Sequence, residues 1–330
     1  MKRLFALLLC LMMISGTGAR AEYTLKDQAE RVVTLKKVPE RIVSGYYIST
    51  STLLALGCGD RLVGIEKKAD TRPLYRYAAP ALLNLPAVGN AKELNLETVI
   101  ALAPDLVILP LQMETAADQL TEIGIPTLLV HPENEVSFAE CVLLIGQACG
   151  REEVAEQLLE MYITVNDQLF SRLPREYKEI YIAGPDSVLT AYPGGMYQST
   201  LAMNAGAYNV SSCINGIAKT PIDPEQLLNW DPEYIFIVAG AAYTARDVLQ
   251  DERLSTLRAV QNGRVYAMPD GLEAWDYPTV SCVLGQVYLA HVLYPEIFSR
   301  QELIQTAIRF YQEIFGIEAN EEMLDLARVE

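Results

Sequence analysis

Two stretches half a chain apart follow one pattern, and this repetition constrains the fold more than any other feature. NLETVIALAPDLVIL occupies residues 95–109 and DPEQLLNWDPEYIFI occupies residues 223–237. In each, a glutamate (Glu97, Glu225) precedes apolar residues at helical spacing. A Pro-acid pair follows at the same distance (Pro104-Asp105, Pro232-Glu233), and then an apolar run of strand type. Helix–proline–strand is ordinary grammar in α/β proteins. The matched placement of all three features points instead to two lobes of common design. A chain of 330 residues is long for one domain and suits two.

The rest of the sequence fits that frame. Strands are expected over 41–45, 61–65, 105–110 and 127–131. Helices are expected over 49–57, opened by hydroxyl caps and closed by Gly57, and over 113–124, stopped by Gly124. Residues 151–173 contain no Gly or Pro, keep a helical period and end at Pro174. Such a helix spans roughly 34 Å, about a domain diameter. Alternation then restarts, with strands at 178–184, 234–240 and 264–269, helices at 199–206 and 224–230, and a helical tail. The expected fold is α/β: two Rossmann-like lobes with mainly parallel sheets, 22–150 and 174–330, joined by one long α-helix over 151–173.

Residues 1–21 read as a secretory signal: Lys2 and Arg3, an apolar stretch from Leu4 to Ile14, and Ala19-Arg20-Ala21 as the cleavage pattern. Cys10 offers a lipid-anchored alternative, although Leu9 stands where lipid modification wants a small residue. The protein is therefore expected to be exported, to the periplasm or the outer face of the cytoplasmic membrane. A formal net charge of −16 makes nucleic acid and anionic membranes poor partners. The mature part carries Cys58, Cys141, Cys149, Cys213 and Cys282, an odd set without C-x-x-C. Most are expected to be buried small hydrophobes, with room for one bridge that the sequence does not assign.

No nucleophile elbow, P-loop, H-E-x-x-H or strand-linked G-x-G-x-x-G occurs. His131 and His291 lie far apart, and no metal-ligand cluster is evident. No catalytic residue, metal site or cofactor is therefore assigned. The expected strand-end loops do carry aromatic residues, and ligands of open α/β sheets bind beyond strand carboxyl ends. Tyr46 and Tyr47 follow the first strand, and Arg72, Tyr75, Arg76 and Tyr77 follow the second. Tyr192, Met196 and Tyr197, then Tyr243, then Trp275, Asp276 and Tyr277 follow strands of the second lobe. Any one loop aromatic serves packing as readily as binding. Their recurrence points to an aromatic cleft between the lobes, with Tyr46, Tyr47, Arg72, Tyr192, Tyr197, Tyr243, Trp275 and Tyr277 as candidate ligand contacts.

The motifs VPERIVSG, LLALGCGDRLVGI, NLETVIALAPDLVIL, AGAYNV, DPEQLLNWDPEYIFI, GRVYAMP and WDYP occur in one order along the mature chain. Together they resemble the class III, helix-linked substrate-binding proteins of ABC importers for iron–siderophore, haem and cobalamin. The resemblance implies a non-enzymatic, monomeric protein that carries a metal chelate in the inter-lobe cleft. It also implies docking to a two-fold permease dimer through Glu97 and Glu225, each meeting an arginine pocket. The tyrosine-rich loops favour an iron chelate or haem, Trp275 would suit cobalamin, and Arg72 would suit an oxyanion such as molybdate. An exported α/β enzyme with an unrecognised site, or a ligand sensor on the same fold, are the competing readings. The rigid linking helix implies small lobe movements.

Overall fold

The computed structural model describes residues 22–326, so the expected signal segment lies outside the described residues. An antiparallel hairpin, Tyr23–Lys26 with Val32–Leu35, precedes the first lobe. That lobe holds a four-stranded, all-parallel sheet in the order Leu62–Gly64, Ile42–Ser44, Leu106–Pro110, Thr127–Val130. Leu106–Pro110 is buried along its whole length, as a parallel strand covered on both faces must be.

The helix expected over 49–57 begins earlier, at Tyr47, and runs Tyr47–Ala55. Its N-cap is Tyr46, extended and without a side-chain cap, so the hydroxyl residues are not caps. Ser49, Thr50, Ser51 and Thr52 lie buried within the helix. Gly57 closes it at φ 67. A helix that the sequence reading did not name spans Glu135–Cys149. Asn134 caps it by accepting from Val136 N and Ser137 N, and Gly150 ends it in the left-handed region at φ 63.

The linking helix runs Glu152–Arg172. Midway along it, Tyr162 packs its ring against Phe138 of the first lobe, with centroids 6.0 Å apart. Its hydroxyl accepts from Gln286 Nε2 at 3.0 Å and lies 3.0 Å from Cys282 Sγ in the second lobe.

The second lobe is built on Lys178–Ala183, paired in parallel with Tyr234–Ile237, which pairs in turn with Val265–Ala267. The other edge of Lys178–Ala183 is shared. Ala207–Asn209 pairs parallel at its start, and Thr190–Ala191 pairs antiparallel at Ala183 and continues to Thr220–Pro221. Helix Cys282–Leu293 is mostly apolar and buried along nearly its whole length, with Gln286 among its buried residues.

That helix overturns two expectations. Trp275 is 1% exposed, and its Nε1 donates to Tyr311 Oη at 2.9 Å. Helix Cys282–Leu293 comes so close at Gly285 that a Cβ there would lie 2.2 Å from the Trp275 carbonyl oxygen. Tyr197 is 2% exposed, with its hydroxyl among Tyr162 and Cys282. Both rings are core residues, not walls of a cleft. Next to Trp275, the fully buried Asp276 accepts from Ala239 N through Oδ1, and its Oδ2 has no partner. Burial pushes this carboxyl up to about 7.

Two outcomes follow from this packing. Trp275→Ala should cost about 3–5 kcal/mol, the range for deleting a buried large aromatic, read from urea denaturation midpoints. Folded Asp276 holds its proton to about pH 7, whereas the unfolded carboxyl releases it near pH ~4. Its contribution to stability therefore falls as pH rises through that window, by on the order of 4 kcal/mol at pH ~8. Asp276→Asn should flatten the decline between those limits and exceed the parent in stability at the alkaline end, measured by denaturation across pH.

Candidate functional site

Residues that follow strand ends in the two lobes come together at the candidate site. Two hydrogen bonds join the lobes here. Tyr47 Oη donates to Glu273 Oε1 at 2.9 Å, and Leu74 N donates to the Leu272 carbonyl at 3.0 Å. Glu273 is 2% exposed, and its other oxygen accepts from Ser281 N at 3.3 Å. Burial, then the Glu273 carboxylate, raise the Tyr47 phenol well above its ordinary range, so it stays a donor.

Below this junction lies a second buried carboxyl, Glu66. Tyr75 Oη donates to its Oε1 at 2.6 Å, and Thr50 Oγ1 lies 2.7 Å from its Oε2. Burial raises Glu66 above the usual carboxylate range, against the lowering effect of these hydrogen bonds. Arg72 stands over the pair. Its guanidinium carbon is 3.9 Å from the centroid of the Tyr47 ring, a cation–π contact. Its Nε is buried without a hydrogen-bond partner. Its charge reaches Tyr47, Tyr75, Glu66 and, across the cleft, Tyr277.

The second lobe supplies phenols. Tyr277 is 38% exposed. Tyr192 is buried, and Tyr243 donates to the Gly184 carbonyl at 2.8 Å. All three lie within the field of Asp186, and Tyr277 also acts on Tyr46 of the first lobe. Burial raises the phenols of Tyr46, Tyr192, Tyr243 and Tyr277. The structure thus brings Tyr46, Tyr47, Arg72, Tyr192, Tyr243 and Tyr277 near one another where the lobes meet, with Tyr192 itself buried, and leaves Trp275 and Tyr197 in the core. Tyr47 serves there as the platform under Arg72, with its hydroxyl engaged by Glu273. Sequence reading missed Glu66 and Glu273. Their signal was a carboxylate just past a strand end, easily mistaken for a solvated loop acid.

Among the described residues, no group of three or more His, Cys, Asp or Glu side chains is placed to hold a metal ion. No described helix is long and apolar enough to cross a membrane.

Glu97 and Glu225 lie away from these buried groups. Both are exposed, and each is the second residue of a short helix, Leu96–Ala101 and Pro224–Trp230. Asn95 and Asp223 cap those helices by accepting from Thr98 N and Gln226 N. The correspondence extends to the backbone. Ala103 and Asp231, each just before the proline, both take positive φ, 43° and 41°.

Known proteins share this fold. The periplasmic binding protein family matches residues 42–272. The molybdate-binding protein MolA of Haemophilus influenzae is 25% identical, over 96% of this chain and 97% of its own length. Its molybdate-bound structure superposes with a TM-score of 0.78 at 23% identity, covering 90% of this chain and 99% of that one. The ABC transporter substrate-binding lipoprotein YvrC of Bacillus subtilis is 28% identical over 89% of this chain and 96% of its length. The achromobactin-binding periplasmic protein of Dickeya dadantii is 24% identical over 61% of this chain and 67% of its own. With the family pattern spanning both lobes and the linking helix, this chain belongs to the periplasmic binding protein family.

Proposed function

We propose that the inter-lobe cleft captures a compact, oxygen-rich anion, foremost a tetrahedral oxyanion of the molybdate type. We propose further that the exported protein hands this cargo to its permease through Glu97 and Glu225. The observation that carries the reading is Arg72. It is a cation held on an aromatic platform at the cleft, its Nε is buried without a hydrogen-bond partner, and among the described residues no salt bridge reaches it, although its charge acts on Glu66. Planar guanidinium donors suit oxyanions. The helix Tyr47–Ala55 begins at the same strand end, and its first-turn amides have no intrahelical acceptor. The similarity to a molybdate-binding relative agrees with this chemistry.

The surrounding phenols support the same reading. Direct phenolate ligation of ferric or haem iron needs the phenol to lose its proton. Burial raises Tyr46, Tyr192 and Tyr277 in the opposite direction, which keeps them neutral donors suited to an anion, while the Tyr243 hydroxyl is already given to the Gly184 carbonyl. An iron–siderophore or haem cargo stays as the second reading, favoured by that number of tyrosines around one cleft. In that case Arg72 would meet carboxylates on the chelate. Cobalamin loses its main support with the burial of Trp275.

Titration calorimetry of the purified protein with molybdate, ferric siderophores, ferric citrate, haem and cobalamin separates these readings. Saturable binding is expected for molybdate. Arg72→Ala should weaken it about 30-fold or more, about 2 kcal/mol for a charge-assisted contact. Arg72→Lys should fall between, because it keeps the charge and loses the fork. No molybdate binding, with saturable binding of a ferric chelate, would replace the first reading by the second. Docking is tested separately. Glu97→Ala and Glu225→Ala together should reduce uptake in cells at least tenfold while cargo affinity in calorimetry is unchanged. Undiminished uptake would remove the docking role.

A further inference from the structure

Five cysteines fall within the described residues, and two of them are partners. Cys58 and Cys149 lie close enough for each thiol to perturb the other, while the Cys58 Sγ sits 3.7 Å from the Leu56 carbonyl oxygen. Cys58 follows the helix Tyr47–Ala55, its amide bound to the Leu53 carbonyl at 2.8 Å, and Cys149 is the last residue of the helix Glu135–Cys149. Two arginines tie the flanking backbones together reciprocally. Arg61, three residues past Cys58, donates from Nη1 to the Cys149 carbonyl at 2.8 Å. Arg151, two residues past Cys149, donates from Nη2 to the Gly57 carbonyl at 3.5 Å. Both cysteines are fully buried. The others are placed differently: Cys141 is buried apart, Cys282 lies against Tyr162, and Cys213 is exposed with its Sγ at the Val210 carbonyl.

We propose that Cys58 and Cys149 form a disulfide by thiol–disulfide exchange with a protein or small-molecule disulfide met during export and folding, stapling the ends of these two helices together.

The exchange balances in two steps. The Cys58 thiolate attacks one sulfur of the oxidant's disulfide, and the oxidant's other sulfur leaves as thiolate. The Cys149 thiolate then attacks the Cys58 sulfur of this mixed disulfide and releases the oxidant's second sulfur. The two protein thiols give up two protons and two electrons, and the oxidant's disulfide becomes two thiols. The surroundings suit Cys58 as first nucleophile. As the helix ends approach, Cys149 and then the charges of Arg61 and Arg151 draw the Cys58 thiol below the ordinary range. With both sulfurs buried, exchange takes place before the two helix ends finish packing, and the finished bond is then shielded from reductants. The bond closes a loop that holds three of the four strands of the first sheet, which is the long-loop case in which a crosslink most restricts the unfolded chain.

The test uses the full chain isolated from its exporting host. It is denatured, alkylated without reduction and digested, and the peptides are mapped by mass spectrometry. A peptide pair joining Cys58 to Cys149 is expected, with two fewer alkylated thiols than in a reduced sample. Reduction should lower Tm by on the order of 5 °C in the parent and leave the Cys58→Ser/Cys149→Ser double variant unmoved. The single variant Cys58→Ser should leave Cys149 fully alkylatable, which requires no folded double variant. Complete alkylation of both cysteines, in the isolated protein and after refolding with oxidised glutathione, would overturn the proposal. A bridge from either residue to another cysteine would overturn it as well.

Discussion

A buried carboxylate that accepts from both sides of the cleft sets how the two lobes face one another. Glu273 comes from the second lobe, yet it receives the Tyr47 hydroxyl of the first as well as its own Ser281 amide. Leaving a buried carboxyl unpaired is costly, so this bond holds Tyr47 in place. The consequences run outward along one line. The fixed hydroxyl fixes the ring, the ring holds the Arg72 guanidinium at 3.9 Å, and Glu66 with Tyr75 and Thr50 forms the polar floor beneath. A charge oriented in this way before ligand arrives loses less conformational entropy on binding than a free surface arginine would.

The linking helix supports the same geometry from the other side. Tyr162 touches Phe138 in one lobe and Cys282 and Gln286 in the other, so bending this helix would disturb two cores together. Interlocked contacts of this kind favour small rigid-body adjustments over wide hinge opening. On such a frame, the helix starts carrying Glu97 and Glu225 keep a fixed relation to their own sheets. Each is followed by a left-handed residue, a proline and an acid. Each of these stretches leads into a strand paired in parallel with Ile42–Ser44 or Lys178–Ala183. The two lobes repeat one solution to the turn between helix and strand.

Much of this was legible in the sequence, because it rests on local periodicity. The alternating elements, the long helix, the stop at Gly124 and the twin glutamate helices all follow from spacing, caps and breakers. What was illegible depends on partners distant in sequence. Trp275 and Tyr197 look like loop aromatics until helix Cys282–Leu293 packs over them, and nothing local to WDYP reveals that approach. Tyr46 and Tyr277 have similar local sequence signals, yet they come from different lobes and lie close enough to act on one another. Serine and threonine after Tyr47 resemble a cap because caps are their commonest helical use. Here tertiary burial and the Glu66 carboxyl give Thr50 a different role. Helix Glu135–Cys149 is mostly buried and weakly amphipathic, so it lacks the polar face that makes a helix easy to read.

One helix then connects the two chemistries of the first lobe. Tyr47–Ala55 starts at the cleft, where Tyr47 supports Arg72, and just past its other end Cys58 lies against Cys149. Thr50 anchors its middle to Glu66, so a polar group as well as apolar packing fixes its position along its axis. Apolar packing tolerates a slide of a few tenths of an ångström, whereas a hydrogen bond of 2.7 Å does not. A helix held at its start by the Tyr47–Glu273 bond, in the middle by a buried carboxyl and at its end by the reciprocal arginine ties has little freedom to shift. The position of Arg72 over Tyr47 is thereby set by the whole length of that helix, not by the cleft residues alone.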